Sequence, residues 1–295
     1  MKKLFIIFII VLCSSPLQSQ EDMIRPVKTG FVSCLDNQIY YEELGEGPPL
    51  ILLHAGYLDV SSWDDQFHFF AENGYRVIRF DSYAHGKTID GNNTPFLHEI
   101  VKALIDSLSL GKVNLVGTSM GGVTIIEFAL QYPEDIESMV LVSTGITGYN
   151  WMKDKSFAPN LKKQIAYAKD GDTLNTAETF LGSWFDGPLR EPNEMDEQKR
   201  DKCKQVILQR FKNHGLRKNA LTSYPKAIKQ YKKIENRCLI LIGDQDMPSI
   251  KEIAGFLNQG LLNSQMIELK GVGHMMNIEK PDEFNVLVLQ FLRGK

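Results

Sequence analysis

Residues 113–122 read Val113-Asn114-Leu115-Val116-Gly117-Thr118-Ser119-Met120-Gly121-Gly122, and this stretch decides the fold. The run Val113–Val116 has the character of a buried strand, and Val123–Leu130 that of a helix stopping near Pro133. Between them lies Gly117-x-Ser119-x-Gly121, a serine at a strand-to-helix junction, which is the setting of a nucleophile elbow. So tight a turn holds the serine backbone in a strained form, and the glycines relieve the crowding. The turn lifts the hydroxyl off the end of the sheet. The helix start beside it offers free backbone N–H groups to developing negative charge. A bare G-x-S-x-G pattern also arises as a mere tight turn. The strand before it, the helix after it and the additional Gly122 set this one apart.

Outward from the elbow the chain alternates strands and helices. Val27–Ser33 and Gln38–Leu44 read as two strands joined at Asp36-Asn37, a hairpin signal. Leu50–Leu53, Arg76–Phe80, Met139–Val142, Cys238–Ile242 and Gln265–Leu269 are further short strands. Pro95–Leu108 has helical spacing through Leu97, Val101, Leu104, Ile105 and Leu108, and Pro281–Leu292 closes the chain as a helix. This order predicts an α/β fold with a mostly parallel sheet flanked by helices. From about 147 to 234 strand-like runs vanish, and Lys, Asp, Asn and helix formers are punctuated by Pro159, Pro188, Pro192 and Pro225. The simplest account is a helical block inserted between two halves of one sheet.

A serine hydroxyl is a weak nucleophile without a histidine base oriented by a carboxylate. Downstream, Leu239–Ile242 runs into Gly243-Asp244-Gln245-Asp246, a strand ending in a loop with two carboxylates. The next strand is followed by Lys270-Gly271-Val272-Gly273-His274. Ser119, His274 and one of the two aspartates form a candidate triad. Asp246 is preferred as the acid, and Asp244 is the alternative. The other carboxylate then serves as a turn cap.

The motifs Leu52-Leu53-His54-Ala55-Gly56, Gly117-Thr118-Ser119-Met120-Gly121-Gly122, Gly243-Asp244-Gln245-Asp246 and Gly273-His274 resemble the α/β-hydrolase fold superfamily. The likeness is to the cap-bearing branch that includes 3-oxoadipate enol-lactonases and related esterases. The chain order Ser, Asp, His matches that fold. The family's acid lies three residues after the strand-ending glycine, which supports Asp246. The 147–234 insert corresponds to the family's cap, so residues 20–295 are expected to form one hydrolase domain.

The resemblance implies a serine hydrolase acting on an ester or lactone of a small molecule through an acyl-enzyme, with no metal and no cofactor. The same triad serves C–C bond hydrolysis and cofactor-free perhydrolysis on this fold, so both stay open. A non-catalytic ligand binder on the scaffold is the alternative of another class. Such binders often lose a triad member, and here all three are present.

The same mapping places the oxyanion hole. One donor is the amide of Met120, after the nucleophile, and the other comes from His54-Ala55-Gly56-Tyr57. With Trp63 as register anchor the donor is Gly56, and a shift of one residue would make it Tyr57. His54 is then expected to orient the loop from beneath. Relatives often carry Asp-x-Arg-Gly-x-Gly-x-Ser where this chain has Asp81-Ser82-Tyr83-Ala84-His85-Gly86-Lys87-Thr88. Tyr83 and Ala84 thus replace Arg and Gly, and His85 is expected to be a solvated loop residue. The pocket is expected between elbow and cap, with Tyr57, Trp151, Trp184 and Met275 as candidate walls. Phe180, Phe185 and Phe211 line it or form the cap's own core. Arg190 reads as a surface charge, with a substrate carboxylate as its alternative partner.

Composition bounds the rest. With 295 residues, 43% hydrophobic and 23% charged, the chain is ordinary globular protein, and a net charge of −3 gives no basic surplus for nucleic acid. Lys2 and Lys3, the apolar run Leu4–Leu12 and the small or polar residues after it follow the grammar of a secretory signal peptide. Cleavage is expected after Ser19, making residues 1–19 the signal. The mature chain is expected to be periplasmic or secreted, without a stable membrane anchor. Cys13 raises a lipoprotein alternative, disfavoured by Leu12 before it. Cys34, Cys203 and Cys238 survive cleavage. An odd number permits one bridge, Cys203–Cys238 or Cys34–Cys238, while buried small hydrophobes is the preferred reading.

Overall fold

The computed structural model describes residues 26–191, 195–215 and 220–294. The signal-like run Leu4–Leu12 and the expected cleavage position lie outside these residues. Among those described, no helix is long and apolar enough to cross a membrane.

In chain order the elements are β1 (Lys28–Cys34), β2 (Asn37–Leu44), β3 (Pro49–Leu53), α1 (Asp64–Glu72), β4 (Arg76–Phe80), α2 (Leu97–Ser107), β5 (Val113–Thr118), α3 (Met120–Gln131) and β6 (Ile136–Val142). A helical stretch follows, with α4 (Ala158–Lys169), α5 (Thr173–Leu181) and α6 (Glu197–His214). The sheet then resumes with β7 (Cys238–Gly243), α7 (Pro248–Gly260), β8 (Ser264–Leu269), α8 (Met276–Glu279) and α9 (Pro281–Leu292). The strands form one sheet in the order β1-β2-β4-β3-β5-β6-β7-β8. β2 pairs antiparallel with β1 and with β4. The remaining neighbours are parallel.

The hairpin turns one residue earlier than the sequence suggests. Cys34 pairs with Asn37, so the turn is Leu35-Asp36, with Leu35 at φ 55°. Asp36 instead accepts the Asn92 and Asn93 amides, which fasten a neighbouring loop to the turn.

Strand side chains alternate between two faces, and both faces are covered. Ile51, Leu53, Leu115, Leu141 and Ile240 pack with α2, α3 and α7. Leu50, Leu52, Val116, Val140 and Leu239 pack with Phe67 of α1 and Phe284 of α9. Each such side chain contributes roughly 1.5–3 kcal/mol by leaving water. That is why the central strands read as unbroken apolar runs and leave their C-terminal ends as the place for chemistry.

The stretch between β6 and β7 has an apolar cluster of its own. Phe180, Leu181, Phe185, Cys203, Ile207 and Phe211 pack together and close onto Ala55, Leu58 and Met275 of the core. Both ends of the stretch are fastened to one buried carboxylate on α3. Glu127 accepts the Thr147 hydroxyl at 2.6 Å and the Ser223 amide at 2.9 Å. The three described cysteines are free and buried, so neither bridge forms. Burial pushes the Cys34 thiol up to about 11 and that of Cys203 to about 12, which leaves both inert as nucleophiles.

Candidate active site

Ser119 sits between the end of β5 and the start of α3 with φ 54° and ψ −109°. This left-handed conformation is unfavourable for a residue with a side chain, by about 1–3 kcal/mol. The close crossing of β5, α3 and β3 keeps it in place. A Cβ on Gly121 would press into the Leu53 carbonyl, and one on Gly117 would lie 2.5 Å from the Gly121 backbone. Glycine at both positions lets the helix start approach the sheet. The Ser119 amide donates to the Val142 carbonyl at 2.9 Å, tying the turn to β6.

Asp246 and His274 come from the loops after β7 and β8. Both carboxylate oxygens of Asp246 lie 3.1 Å from His274 Nδ1, and both residues are almost fully buried. Asp246 Oδ1 also accepts the Met247 amide at 2.7 Å, which fixes the carboxylate plane. With Nδ1–H donating to the carboxylate, Nε2 carries the free lone pair. That nitrogen is buried with no hydrogen-bond partner. A buried acceptor without a partner is unfavourable in a structural role and suits a base awaiting a proton. Asp244 does different work: its Oδ1 accepts the Gly271 amide at 2.7 Å, capping the loop that leads to His274.

A polar network behind these residues links the two loops. The Thr118 hydroxyl meets Asn277 Oδ1 at 3.4 Å, and Asn277 Nδ2 donates to the Ser62 carbonyl at 2.8 Å. Gln66 donates to the Asn277 carbonyl and to Asn285. Neighbours of Ser119 and of His274 are thereby held in one frame. Among the residues that sequence reasoning missed, Gln66, Asn277 and Asn285 carry no local signal, since their partners lie about 200 residues away in sequence.

The loop after β3 is braced by two histidines that act reciprocally. His54, on that loop, accepts the Ser82 amide at Nε2 (3.0 Å), and its Nδ1 donates to the Ala55 carbonyl (2.8 Å). His85, on the loop after β4, accepts the Tyr57 amide at Nε2 (3.2 Å) and donates from Nδ1 to the Tyr83 carbonyl (2.8 Å). Each ring thus needs one N–H and one lone pair, which is the neutral tautomer. Their centroids are 4.9 Å apart. His54 orients the loop as the sequence suggests. His85 is not a solvated loop residue: it is fully buried, because α6 closes over its loop, where His214 contacts the Gly86 carbonyl. Ala84 adopts φ 60°, the conformation that the glycine of relatives would take freely.

The Tyr57 amide is occupied by His85, which leaves Gly56 as the unengaged one of the two donors that the sequence offers. A Cβ on Gly56 would lie 4.0 Å from Met120 Cβ, so the two residues are neighbours. Among the described residues, neither the Gly56 nor the Met120 amide is tied to another group. The Met120 amide is the first of α3 and has no acceptor inside the helix.

Burial holds the His85 pKa well below the usual histidine value, with repulsion from His54 and Arg210 adding to it. Burial also lowers that of His54, and Arg210 adds to it. The unfolded chain therefore takes up protons below pH 6.5 that the folded chain refuses. The stability these rings confer is complete above that pH and is lost as the pH falls towards their folded values. A His85→Gln variant keeps an acceptor and a donor but cannot titrate. Between pH 8 and pH 5 its melting temperature is expected to fall by about 2–4 °C less than that of the wild type, equivalent to about 1 kcal/mol. Equal falls in both, measured by calorimetry, would contradict the neutral brace.

Above Ser119 lies a cavity of about 320 Å³, walled by Leu97, Val123, Trp151, Phe157, Leu161 and Trp184. Trp151, Phe157 and Trp184 contact one another edge to face with centroids 5.0–6.1 Å apart. Trp184 also packs on His274 at 4.4 Å. Tyr57 and Met275 are not part of this lining. Tyr57 turns towards Phe180, Phe211 and the Arg210 guanidinium, and Met275 is buried in the adjoining apolar cluster. Phe180, Phe185 and Phe211 belong to that cluster too.

Arg190 is not a free surface charge. Its side chain is 5% exposed and ion-paired with Glu279. It also donates to the Asp186 and Phe185 carbonyls. Glu279 in turn accepts the Gly273 amide at 3.2 Å, so Arg190 braces the loop that carries His274.

Comparison with known proteins agrees with this fold. The sequence pattern of the alpha/beta hydrolase fold family matches residues 48–281. The 2-hydroxy-6-oxo-6-phenylhexa-2,4-dienoate hydrolase of Comamonas testosteroni is 30% identical over 88% of this chain and 93% of that protein. A bifunctional esterase/perhydrolase of Acinetobacter calcoaceticus is 26% identical over 90% of this chain and 100% of that protein. The solved carboxylesterase CesB of Bacillus subtilis shares the fold at a TM-score of 0.73, with 23% identity over 92% of this chain and 93% of that one. The family pattern spans β3 to β8, the elbow and the loops that carry Asp246 and His274, and the chain belongs to the α/β-hydrolase fold family.

Proposed function

We propose that the protein is a serine hydrolase that cleaves an ester or lactone bond of a small molecule. Ser119 Oγ attacks the carbonyl carbon while His274 Nε2 takes the hydroxyl proton, and Asp246 holds the imidazolium that forms. The amides of Gly56 and Met120 receive the oxyanion. The tetrahedral adduct collapses as His274 returns the proton to the leaving oxygen, giving an acyl-Ser119. Water then attacks, its proton passing to His274, and the acid leaves as His274 returns that proton to Ser119 Oγ. The observation that carries this reading is the pairing of a strained, accessible Ser119 with a histidine whose Nδ1 is held by a carboxylate and whose Nε2 is without a partner.

A second reading is hydrolysis of a C–C bond next to a ketone, favoured by the 30% identity to a dienoate hydrolase. The same atoms would serve it, with carbon in place of oxygen as the leaving atom. One substrate panel separates the two: p-nitrophenyl acetate, a series of five- and six-membered lactones, and a 2-hydroxy-6-oxo-dienoate. Turnover of an ester or lactone with saturable kinetics is expected. Cleavage of the dienoate alone would replace this reading with the second.

A further inference from the structure

We propose, independently of the chemistry at Ser119, that the stretch between β6 and β7 presents a surface that docks reversibly on a bilayer of anionic phospholipid. Residues 147–169 and 224–234 hold nine of the chain's 33 basic side chains and one of its 36 acidic ones. The one acid, Asp154, is buried and turned inward, where it accepts the Ser156 amide at 2.9 Å and the Ser249 amide at 3.1 Å. Five lysines, from Lys153 to Lys169, belong to the first segment and four, from Lys226 to Lys233, to the second. Eight of the nine are exposed, and Lys226 is half-buried. Among the described residues none of them pairs with a carboxylate. Glu252 of α7 reaches the first segment, where it accepts the Tyr149 hydroxyl at 2.8 Å. The rest of the chain is acidic on balance, so the positive charge of these segments is not a reflection of overall composition.

The two segments lie side by side. The Ile228 amide donates to the Thr147 carbonyl at 3.1 Å, and the Ala227 amide to the Thr147 hydroxyl at 2.9 Å. Trp151 and Leu161 of the first segment and Thr222, just ahead of the second, line the cavity above Ser119. In or beside the segments, Met152, Ile165, Leu221 and Tyr224 are large apolar side chains left exposed, Tyr224 by 86%. On α4 the spacing of Lys162, Ile165 and Lys169 puts them on one stripe of the helix. This mixture decides between partners. A polyanion such as heparin would be held by the lysines and would leave Met152 and Ile165 in water. An anionic bilayer attracts lysines to its headgroups and takes apolar side chains in between them. Lipid is therefore the partner that uses both kinds of residue. With 12 residues, α4 is too short to span a bilayer, so the contact is peripheral.

Flotation of the protein with phosphatidylcholine vesicles, with and without about 30% phosphatidylglycerol, tests this. Binding to the anionic vesicles is expected to be about tenfold tighter or more than to the neutral ones, and to fall about tenfold as NaCl rises from about 0.05 to about 0.5 M. Lys162→Glu combined with Lys163→Glu is expected to weaken it about tenfold. Lys112→Glu, exposed just before β5 at the end away from Ser119, is expected to change it less than about twofold. Ile165→Ser combined with Tyr224→Ser keeps every charge and is expected to weaken vesicle binding about fivefold with retention on heparin unchanged. All variants are expected to keep the wild-type circular dichroism spectrum. For any that does not, the lipid and salt dependence of the wild type decides. The proposal is overturned if the anionic vesicles bind no better than the neutral ones, or if Lys112→Glu weakens binding as much as the paired reversal. Vesicle binding unchanged by Ile165→Ser with Tyr224→Ser would also overturn it, and would mark the surface as one for a soluble polyanion.

Discussion

Replacing Ser119 with Ala is expected to lower kcat/KM on p-nitrophenyl acetate by about 100,000-fold or more, while the circular dichroism spectrum and melting temperature stay close to wild type. The size follows from removing the nucleophile: no acyl-enzyme can form, and His274 and Asp246 have no hydroxyl to activate. The residual rate should still exceed the water reaction by about 1,000-fold, because the amides of Gly56 and Met120 and the apolar cavity remain. The expected small gain or null change in stability has a separate origin. Ala at φ 54° is no more strained than Ser, and Ser119 contributes its backbone amide, not its hydroxyl, to the fold through the Val142 carbonyl. A variant that retained wild-type activity would remove Ser119 from the mechanism.

Asp246→Asn is expected to lower kcat about 10,000-fold with the fold intact. An Asn amide at this position would donate to His274 Nδ1, since both carboxylate oxygens lie 3.1 Å from that atom. The imidazole would then carry its proton on Nε2, the atom that must accept the serine proton. The charge that supports the imidazolium would be gone as well. The matched control is Asp244→Asn. Asp244 caps a loop through the Gly271 amide and touches no part of the histidine, so its kcat is expected to change less than threefold. Steady-state kinetics on both variants separates the two carboxylates of the Gly243–Asp246 segment. Equal losses would mean that loop position, not histidine orientation, sets the rate.

The sheet was legible because strands covered on both faces must be apolar at nearly every position. β4 and α9 appear at the expected residues, and β3, β5, β6 and β7 within a few residues of them. Two helices that the sequence reading leaves unassigned show why the remainder was harder. α7 carries a readable stripe at Ile250, Ile253, Ala254 and Leu257, yet it begins in a Met-Pro-Ser segment that resembles a loop. α1 has apolar rings on more than one side, with Phe67 and Phe70 buried while Phe69 packs at the edge, so its periodicity is blurred.

The candidate site divides in the same way. Ser119, Asp246 and His274 each sit in a local motif. His85, Arg190 and Glu127 do not. His85 lies in a run of Asp, Ser, Tyr, Lys and Thr that looks solvated, and only the overlying α6 buries it. The partner of Arg190 is 89 residues away in sequence. Glu127 stands on an otherwise apolar helix, and its purpose appears only when Thr147 and Ser223 arrive from the two ends of the insert. Adjacency in sequence to Gly56 and His274 suggests Tyr57 and Met275 as pocket walls, and neither is one. Rotation of the backbone at Tyr57, which has φ 63°, sends its ring the other way.

Reaction with a fluorophosphonate followed by peptide mass spectrometry tests the serine hydrolase reading most directly, because only an activated serine reacts rapidly with such a probe. One phosphonyl adduct per chain is expected, located on the peptide containing Ser119, with esterase activity lost in proportion to labelling and no adduct formed in Ser119→Ala. An unlabelled chain, or an adduct elsewhere with activity retained, would contradict it.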